Sequence, residues 1–275
     1  MSAPLRVWFI TGCSSGFGRC LAEQALGRGE RVVATARDIS SLHDLQTAFG
    51  ERVCTVALDV TRPELLRPAI ERARSAFGRI DVVVNNAGYG LQGTIEDVAD
   101  AQVRAAFETN FFGALAVIRA VLPLLRTQRS GHIVNVSSVG GRLSVPMIGL
   151  YSATKFALEG VSVALAAELA PHGIRVTLVE PGAFATRFGG ASLVAVPPSA
   201  PYAAMGDAIA ASLASLKWGD PRRAAAAIIE ACDASEPPLR LVLGEQALGM
   251  VRHTLKEQLA ELERWERLSV SASPD

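Results

Sequence analysis

A doubly wound parallel β-sheet with helices on both faces is the α/β fold class that this 275-residue sequence predicts. Three observations carry it. Short apolar runs alternate with longer helical patterns along most of the chain, the signature of repeated strand–helix–strand units. The first run ends in a glycine-rich turn that opens directly into a helix. Polar residues suited to binding and chemistry fall at the C-terminal ends of successive runs, the edge where parallel sheets take up ligands.

The elements follow in order. Residues 5–10 read as a buried strand, followed by T-G-C-S-S-G-F-G over residues 11–18 and a helix closed by Gly27 and Gly29. Gly12 permits the tight turn, Gly16 lets a pyrophosphate approach the backbone, and Gly18 lets the helix pack close to the strand. Ser14, Ser15 and Phe17 complete the loop, and the helix N-terminus offers free N–H groups to phosphates. The second strand, residues 31–36, ends at Ala36 with Arg37 and Asp38 after it. A carboxylate at that end would bond a ribose 2′-hydroxyl, whereas an arginine suits a 2′-phosphate. Strand 52–58 leads into Asp59 and Val60, and strand 80–84 into N-N-A-G, Asn85 to Gly88.

A helical segment spans about residues 101–126 and holds Asn110. Asparagine is a poor mid-helix residue because its amide competes for backbone groups, so Asn110 either faces solvent or marks a local kink. Strand 131–136, helix 151–169 and strand 174–179 follow, the last closed by P-G-A-F-A-T over residues 181–186. The pattern weakens from 187 to 218, which reads as a mobile flap of loop plus helix near the mouth of a site. Asp220-Pro221 starts another helix as N-cap and first-turn proline. Residues 239–243 form the last strand, and 254–268 a charged amphipathic helix. The whole of 1–275 reads as one domain.

The densest chemistry lies between Ser138 and Lys155. Tyr151 and Lys155 are four residues apart on a helical pattern, hence one turn apart on one face. An ammonium beside a phenol favours the phenolate, so the Tyr151 pKa is expected to fall toward neutrality, where a general acid/base works. Ser138 stands thirteen residues before Tyr151, at the end of a strand, where its hydroxyl could bond the same oxygen. Leu143, Val145, Pro146, Met147 and Ile148, with Phe184 and Phe188 opposite, are candidates for an apolar pocket wall; Arg142 is the polar exception.

Composition excludes other classes. Lysine and arginine balance aspartate and glutamate to zero net charge, so nothing argues for nucleic acid. Cys13, Cys20, Cys54 and Cys232 show no C-x-x-C, which suits buried thiols in a reducing compartment. The four histidines lack metal-ligand spacing. The N-terminus lacks a signal-peptide pattern and no apolar run reaches membrane-span length, so a cytoplasmic protein with no membrane partner is expected.

Together, T-G-x-x-x-G-x-G, N-N-A-G, the mid-helix Asn110, Ser138 before Y-x-x-x-K, and P-G after the sixth main strand resemble the short-chain dehydrogenase/reductase family, from about residue 5 to 243. T-G-C-S-S-G-F-G, V-V-A-T-A-R-D and Y-S-A-T-K-F-A-L-E-G resemble its 17β-hydroxysteroid and retinol dehydrogenase branch. The resemblance implies a Rossmann-type oxidoreductase that prefers NADP(H) over NAD, with Tyr151 as acid/base. Lys155 would lower its pKa and hold the nicotinamide ribose, Ser138 would orient the substrate oxygen, and Asn110 would anchor a proton-relaying water. It implies cofactor contacts from Asp59 and Val60, from Asn86, Ala87 and Gly88, and from Pro181, Gly182, Phe184 and Thr186. The expected substrate is a hydrophobic secondary alcohol or a ketone or aldehyde. The chain lacks the glycine-rich close of tetrameric members, so a homodimer is expected, with helix 254–268 covering the tetramer surface. Two rivals share the fold: an NADP(H)-sensing binding protein that does no chemistry, which has no need of Ser138, Tyr151 and Lys155, and an epimerase or dehydratase, disfavoured by the glycine spacing.

Overall fold

The computed structural model describes residues 5–186, 190 and 192–273. Its strands are β1 (Val7–Ile10), β2 (Arg31–Ala36), β3 (Val53–Ala57), β4 (Val82–Asn85), β5 (Gly90–Gln92), β6 (Gly131–Val136), β7 (Ile174–Pro181), β8 (Leu193–Ala195) and β9 (Arg240–Leu243). Its α-helices are α1 (Gly16–Gly27), α2 (His43–Phe49), α3 (Leu66–Phe77), α4 (Asp100–Phe107), α5 (Ala114–Gln128), α6 (Gly149–Leu169), α7 (Ala203–Ala214), α8 (Pro221–Asp233) and α9 (Glu245–Val270). Seven strands form one parallel sheet in the order β3-β2-β1-β4-β6-β7-β9, the Rossmann-like arrangement the sequence predicts.

Alternation along β1 builds both layers of the core. Trp8 and Ile10 join Leu21 and Leu26 of α1 and Ile228 of α8 on one face. Val7 and Phe9 join Ile70 of α3, Val117 and Ile118 of α5 and Leu165 of α6 on the other. A strand buried on both faces needs apolar residues at every position, which is why V-W-F-I is continuous rather than alternating. The order in which strands are added to the sheet reverses between β1 and β4, and the crevice beyond such a switch point is where these sheets bind ligands. Both the glycine loop and N-N-A-G open into it. All four cysteines are free and buried.

Four expectations change. The helix over 101–126 is two α-helices joined by a π-helical turn, Glu108–Gly113, with Asn110 buried inside it; this is the kink, not the solvent-facing alternative. The run Asp100–Gln128 is long and apolar enough to cross a membrane by length and composition, with mean hydropathy 1.4 over an 18-residue window. The sequence reading missed this because the charges Arg104, Glu108 and Arg119 interrupt the run. In the fold, Val117, Ile118, Val121 and Leu125 are buried against the rest of the protein.

Third, much of the segment read as a mobile flap is tied down. β8 pairs in parallel with β5, Val196 N donates to the Gln92 carbonyl at 2.8 Å, Ser199 N to Asp97 Oδ2 at 3.0 Å, and the Tyr202 hydroxyl to Glu96 Oε2 at 2.6 Å. Three-residue strands carry too little periodicity to show in sequence. Fourth, α9 begins at Glu245 rather than 254. Its first turns pack through buried Ala247 and Val251, the former against Gly182. Leu255, Leu259, Leu262, Trp265 and Leu268 beyond them are exposed, so the outer turns do not cover a surface of this chain.

Candidate active site

The glycine loop is shaped for close approach. Gly12 sits at φ +74°, a left-handed conformation that costs glycine little. Gly18 allows a tighter fit: a Cβ there would collide with the Gly12 carbonyl and lie 2.5 Å from Asn86 Nδ2. Asn86 explains the fit, since its amide donates to the carbonyls of Thr11 at 2.9 Å and Gly12 at 3.0 Å. The Thr11 hydroxyl accepts from the backbone N–H groups of Asn86 and Ala87. N-N-A-G thus buttresses the loop from below. Ser15 is the N-cap of α1 but makes no side-chain cap bond, and no acidic residue occupies the first turn. The helix N-terminus therefore presents N–H groups and a positive dipole end to an anion. Ser14 is exposed beside it, and the Phe17 ring stacks edge-on against Phe184 at 5.2 Å.

At the end of β2, Ala36 is buried and Arg37 exposed. Asp38 does not pair with Arg37; its carboxylate caps the turn at Ile39–Leu42, accepting from Ser40 N at 2.9 Å. Asp59 follows β3 and accepts from the backbone and hydroxyl of Thr61. Burial pushes its pKa up, but the Thr61 bonds and the charge of Arg37 outweigh this and hold it below the usual range. Val60 is buried against the π turn at Gly113. These groups fit the adenosine end of a dinucleotide, and the α1 N-terminus fits its phosphates.

The chemistry lies across the crevice. Asn110 Nδ2 donates to the Tyr89 carbonyl at 3.0 Å and to Thr154 Oγ1 at 3.2 Å, and its Oδ1 accepts from Tyr89 N. Thr154 in turn donates to the Tyr151 carbonyl. The π turn is thereby fastened to α6, and π turns recur where helices serve a site. Gly88 lies against both Asn110 Oδ1 and Lys155 Nζ. Ser138 caps a short turn, accepting from Gly140 N at 3.0 Å, and its hydroxyl bonds the Tyr151 phenol. Lys155 Nζ stands 5.9 Å from the Tyr151 ring centre and donates to the Val136 carbonyl at 2.9 Å.

The expected fall of the Tyr151 pKa does not occur in the protein alone. Burial drives it well above the ordinary phenol range, and the Ser138 bond offsets only part of that. Burial also lowers Lys155 to about 8, the nearby charge of Glu159 opposing the fall. Removing each group from water outweighs the Ser138 bond and the Glu159 charge that oppose it, because desolvation penalises each charged form. Tyr151 therefore rests as a neutral phenol, the form that donates a proton.

Of the pocket-wall candidates, Met147 is buried at φ +65° with its carbonyl accepting from Gly93 N, Leu143 is half-buried and Val145 exposed; Phe188 lies outside the described residues. Phe184 packs on Phe17 and over Gly219. Pro181 ends β7, Gly182 N donates to the Leu243 carbonyl, and Thr186 lies over Gly16. Arg142 is no pocket-wall group: it turns inward to Glu180. A surface groove of about 370 Å³ lies elsewhere, between Asp100 and Phe112, and none of Ser138, Tyr151 or Lys155 lines it. Thr11 and Thr154 are site-shaping residues the sequence reading left unassigned. Thr11 stands inside a motif that was read, but Thr154 carries no signal beyond its place within Y-x-x-x-K.

A glycine cradle at the switch point of the sheet, joined to a Ser–Tyr–Lys cluster, defines a nucleotide-dependent oxidoreductase site. Residues 6–193 match the short chain dehydrogenase family model, and the chain belongs to that family. It is 40% identical to oxidoreductase BOA17 of Botryotinia fuckeliana over 272 residues, covering 98% of this chain and 99% of that one. Against human retinol dehydrogenase 8 it is 42% identical over 203 residues, 71% of this chain and 64% of the other. The crystal structure of a short-chain dehydrogenase from Streptomyces avermitilis superposes with TM-score 0.93 at 41% identity, covering 98% of this chain and all of that one. Family members from Burkholderia phymatum, in complex with NAD (TM-score 0.81, 28% identity, 94% and 95% covered), and Burkholderia cenocepacia, in complex with NADP (0.77, 27%, both chains fully covered), share the fold. The protein is a short-chain dehydrogenase/reductase, an enzyme of the nicotinamide-dependent oxidoreductases.

Proposed function

We propose that this enzyme interconverts a secondary alcohol and a ketone or aldehyde on a mainly hydrophobic small molecule, preferring NADP(H). The observation that carries the reading is the convergence of Ser138, Tyr151 and Lys155 at the mouth of the glycine crevice. The bound nicotinamide supplies or accepts the hydride. In reduction, Tyr151 gives its phenolic proton to the carbonyl oxygen, and Ser138 donates a second hydrogen bond that fixes that oxygen. Lys155 supplies positive charge beside the resulting phenolate. Gly12, Gly16 and Gly18, with Ser14 and Ser15, accommodate the phosphates.

Preference for NADP(H) is supported by Ala36 where a carboxylate would repel a 2′-phosphate. It is supported also by Arg37, which no salt bridge occupies among the described residues while Asp38 serves as a cap. Leu143, Val145 and Met147 favour an apolar substrate. The assembly proposed is a homodimer, read by light scattering; a tetramer would refute it. Loss of reduced-nicotinamide absorbance across a panel of hydrophobic ketones and aldehydes, with NADPH and NADH in parallel, tests the activity. Turnover of several members with NADPH is expected. Tight NADPH binding with no turnover would favour the sensing protein instead.

A further inference from the structure

Behind the Ser–Tyr–Lys cluster lies a set of charges that the proposed chemistry does not use. Arg142 Nη1 bonds both oxygens of Glu180, at 3.1 and 3.4 Å. The Glu180 side chain is wholly buried at the end of β7. Arg240, at the start of β9, lies 3.4 Å from Glu180 Oε1 and donates to Glu159 Oε2 at 3.3 Å. Glu159 is buried on α6, one turn beyond Lys155, with the Ser137 hydroxyl facing it. The four side chains form an unbroken line from the turn that carries Ser138 to the helix that carries Tyr151 and Lys155.

Packing shows what the line holds. Gly140 and Gly141 press the Ser138 turn onto α6: a Cβ on Gly141 would stand 2.7 Å from Ser137 Oγ and 3.0 Å from Glu159 Cγ. A Cβ on Gly140 would stand 3.3 Å from Ser138 Oγ and 3.5 Å from the Tyr151 ring. Two successive glycines make a close fit but a yielding backbone. The first side chain after them is Arg142, and it runs inward to Glu180. Glu159 and Glu180 are buried while the two arginines reach in from the surface; burying carboxylates is costly unless they are paired, and removing an arginine strands its partner. Burial pushes both carboxyls above their ordinary range, against which the arginines pull them back. A turn that needed only an anchor could use apolar residues.

We propose that Arg142, Glu180, Arg240 and Glu159 are positioning residues that hold the Ser138 hydroxyl on the Tyr151 phenol. The inference rests on the reading of Ser138 and Tyr151 as the proton-handling pair. Arg142 has no contact with the reacting atoms; it acts through the turn.

The test is a double-mutant cycle on Arg142→Met and Ser138→Ala, with Arg142→Lys and Glu180→Gln as milder variants that keep size. The readouts are kcat for a ketone the wild type reduces, and the NADPH Kd from quenching of protein fluorescence. Arg142→Met is expected to lower kcat about ten- to a hundredfold, the scale of a slightly misplaced reacting group, with NADPH Kd within about twofold. Arg142→Lys should recover part of the loss. Ser138→Ala should cost much less in the Arg142→Met background than in wild type, because its hydroxyl is already displaced. Independent, multiplying losses would overturn the proposal. Crystal structures of wild type and Arg142→Met decide it without turnover: Ser138 Oγ should leave hydrogen-bond reach of the phenol, and an unmoved turn refutes the device. A wild type that reduces no panel member fails the reductase reading, while the crystallographic comparison still decides this one.

Discussion

The two sides of the crevice are built differently. On the nucleotide side, each functional group stands within a few residues of the C-terminal end of a strand of the main sheet. Gly12 follows β1, Arg37 follows β2, Asp59 follows β3, and Asn86 follows β4. The sheet positions them, and their neighbours hold them through backbone bonds. On the side proposed to take substrate, the elements are a three-residue ribbon, β5 with β8, the turn after β6, and the segment leading into α7. These parts are placed by tertiary pairs such as Ser199 to Asp97 and Tyr202 to Glu96. The first design constrains sequence strongly; the second leaves it freer to vary with the substrate. Perturbations on the nucleotide and proton-transfer side should therefore cost most.

The largest effect is expected at the proton donor. Tyr151→Phe keeps the buried ring but removes the transferable proton, and loss of a general acid costs about a hundredfold to ten-thousandfold in rate. NADPH binding should be unchanged, which separates chemistry from folding. Steady-state kinetics and fluorescence titration on the same preparation check it, and turnover within a few-fold of wild type would break the assignment.

Next comes the glycine loop. Gly18→Ala puts a methyl into the Gly12 carbonyl and the Asn86 amide, neither of which can yield without dismantling the buttress. Overpacking of this kind costs about 1–3 kcal/mol; where the loop shifts to relieve it, NADPH binding weakens by about five- to 150-fold. Calorimetry measures it. Unchanged affinity would mean that the crevice is not where the phosphates sit.

Sheet, glycine loop, N-N-A-G, Ser138 and Tyr151–Lys155 were legible because backbone geometry or chemistry restricts those positions to a few residue types. Asn110 was half legible: a poor helix former signalled a kink, yet nothing marked a π turn or its ties to Tyr89 and Thr154. Arg142 reads from sequence as a polar member of the pocket wall because its partner, Glu180, lies 38 residues away. The rise of the Tyr151 pKa in the protein alone is not legible, because a spacing reveals a neighbouring charge but not the depth of burial.

Cofactor choice is a smaller effect. Ala36→Asp with Arg37→Ile replaces a free guanidinium by a carboxylate that accepts from a ribose 2′-hydroxyl and repels a 2′-phosphate. Wild type is expected to favour NADPH by about tenfold, the lower end of what one exposed charge-assisted contact provides. The double variant should favour NADH. The ratio of kcat/KM values for the two cofactors decides it, and a wild type that already prefers NADH would make Arg37 a solvated surface charge.

The smallest effect belongs to the substrate side and sharpens the contrast. Tyr202→Phe removes the hydroxyl that ties the segment before α7 to Glu96. The bond is solvent-exposed, so water replaces it on both partners and little is lost. The backbone bonds of β5 with β8, and Val196 N to the Gln92 carbonyl, still hold the segment. The expected result is a KM for ketone raised by no more than about threefold, with kcat and NADPH affinity unchanged, because the segment carries none of Ser138, Tyr151 and Lys155. Initial rates over a range of ketone concentrations at saturating NADPH separate the two parameters. A fall in kcat comparable to that of Arg142→Met would place this segment within the proton-transfer machinery, and the division between a fixed side and a permissive side would no longer hold.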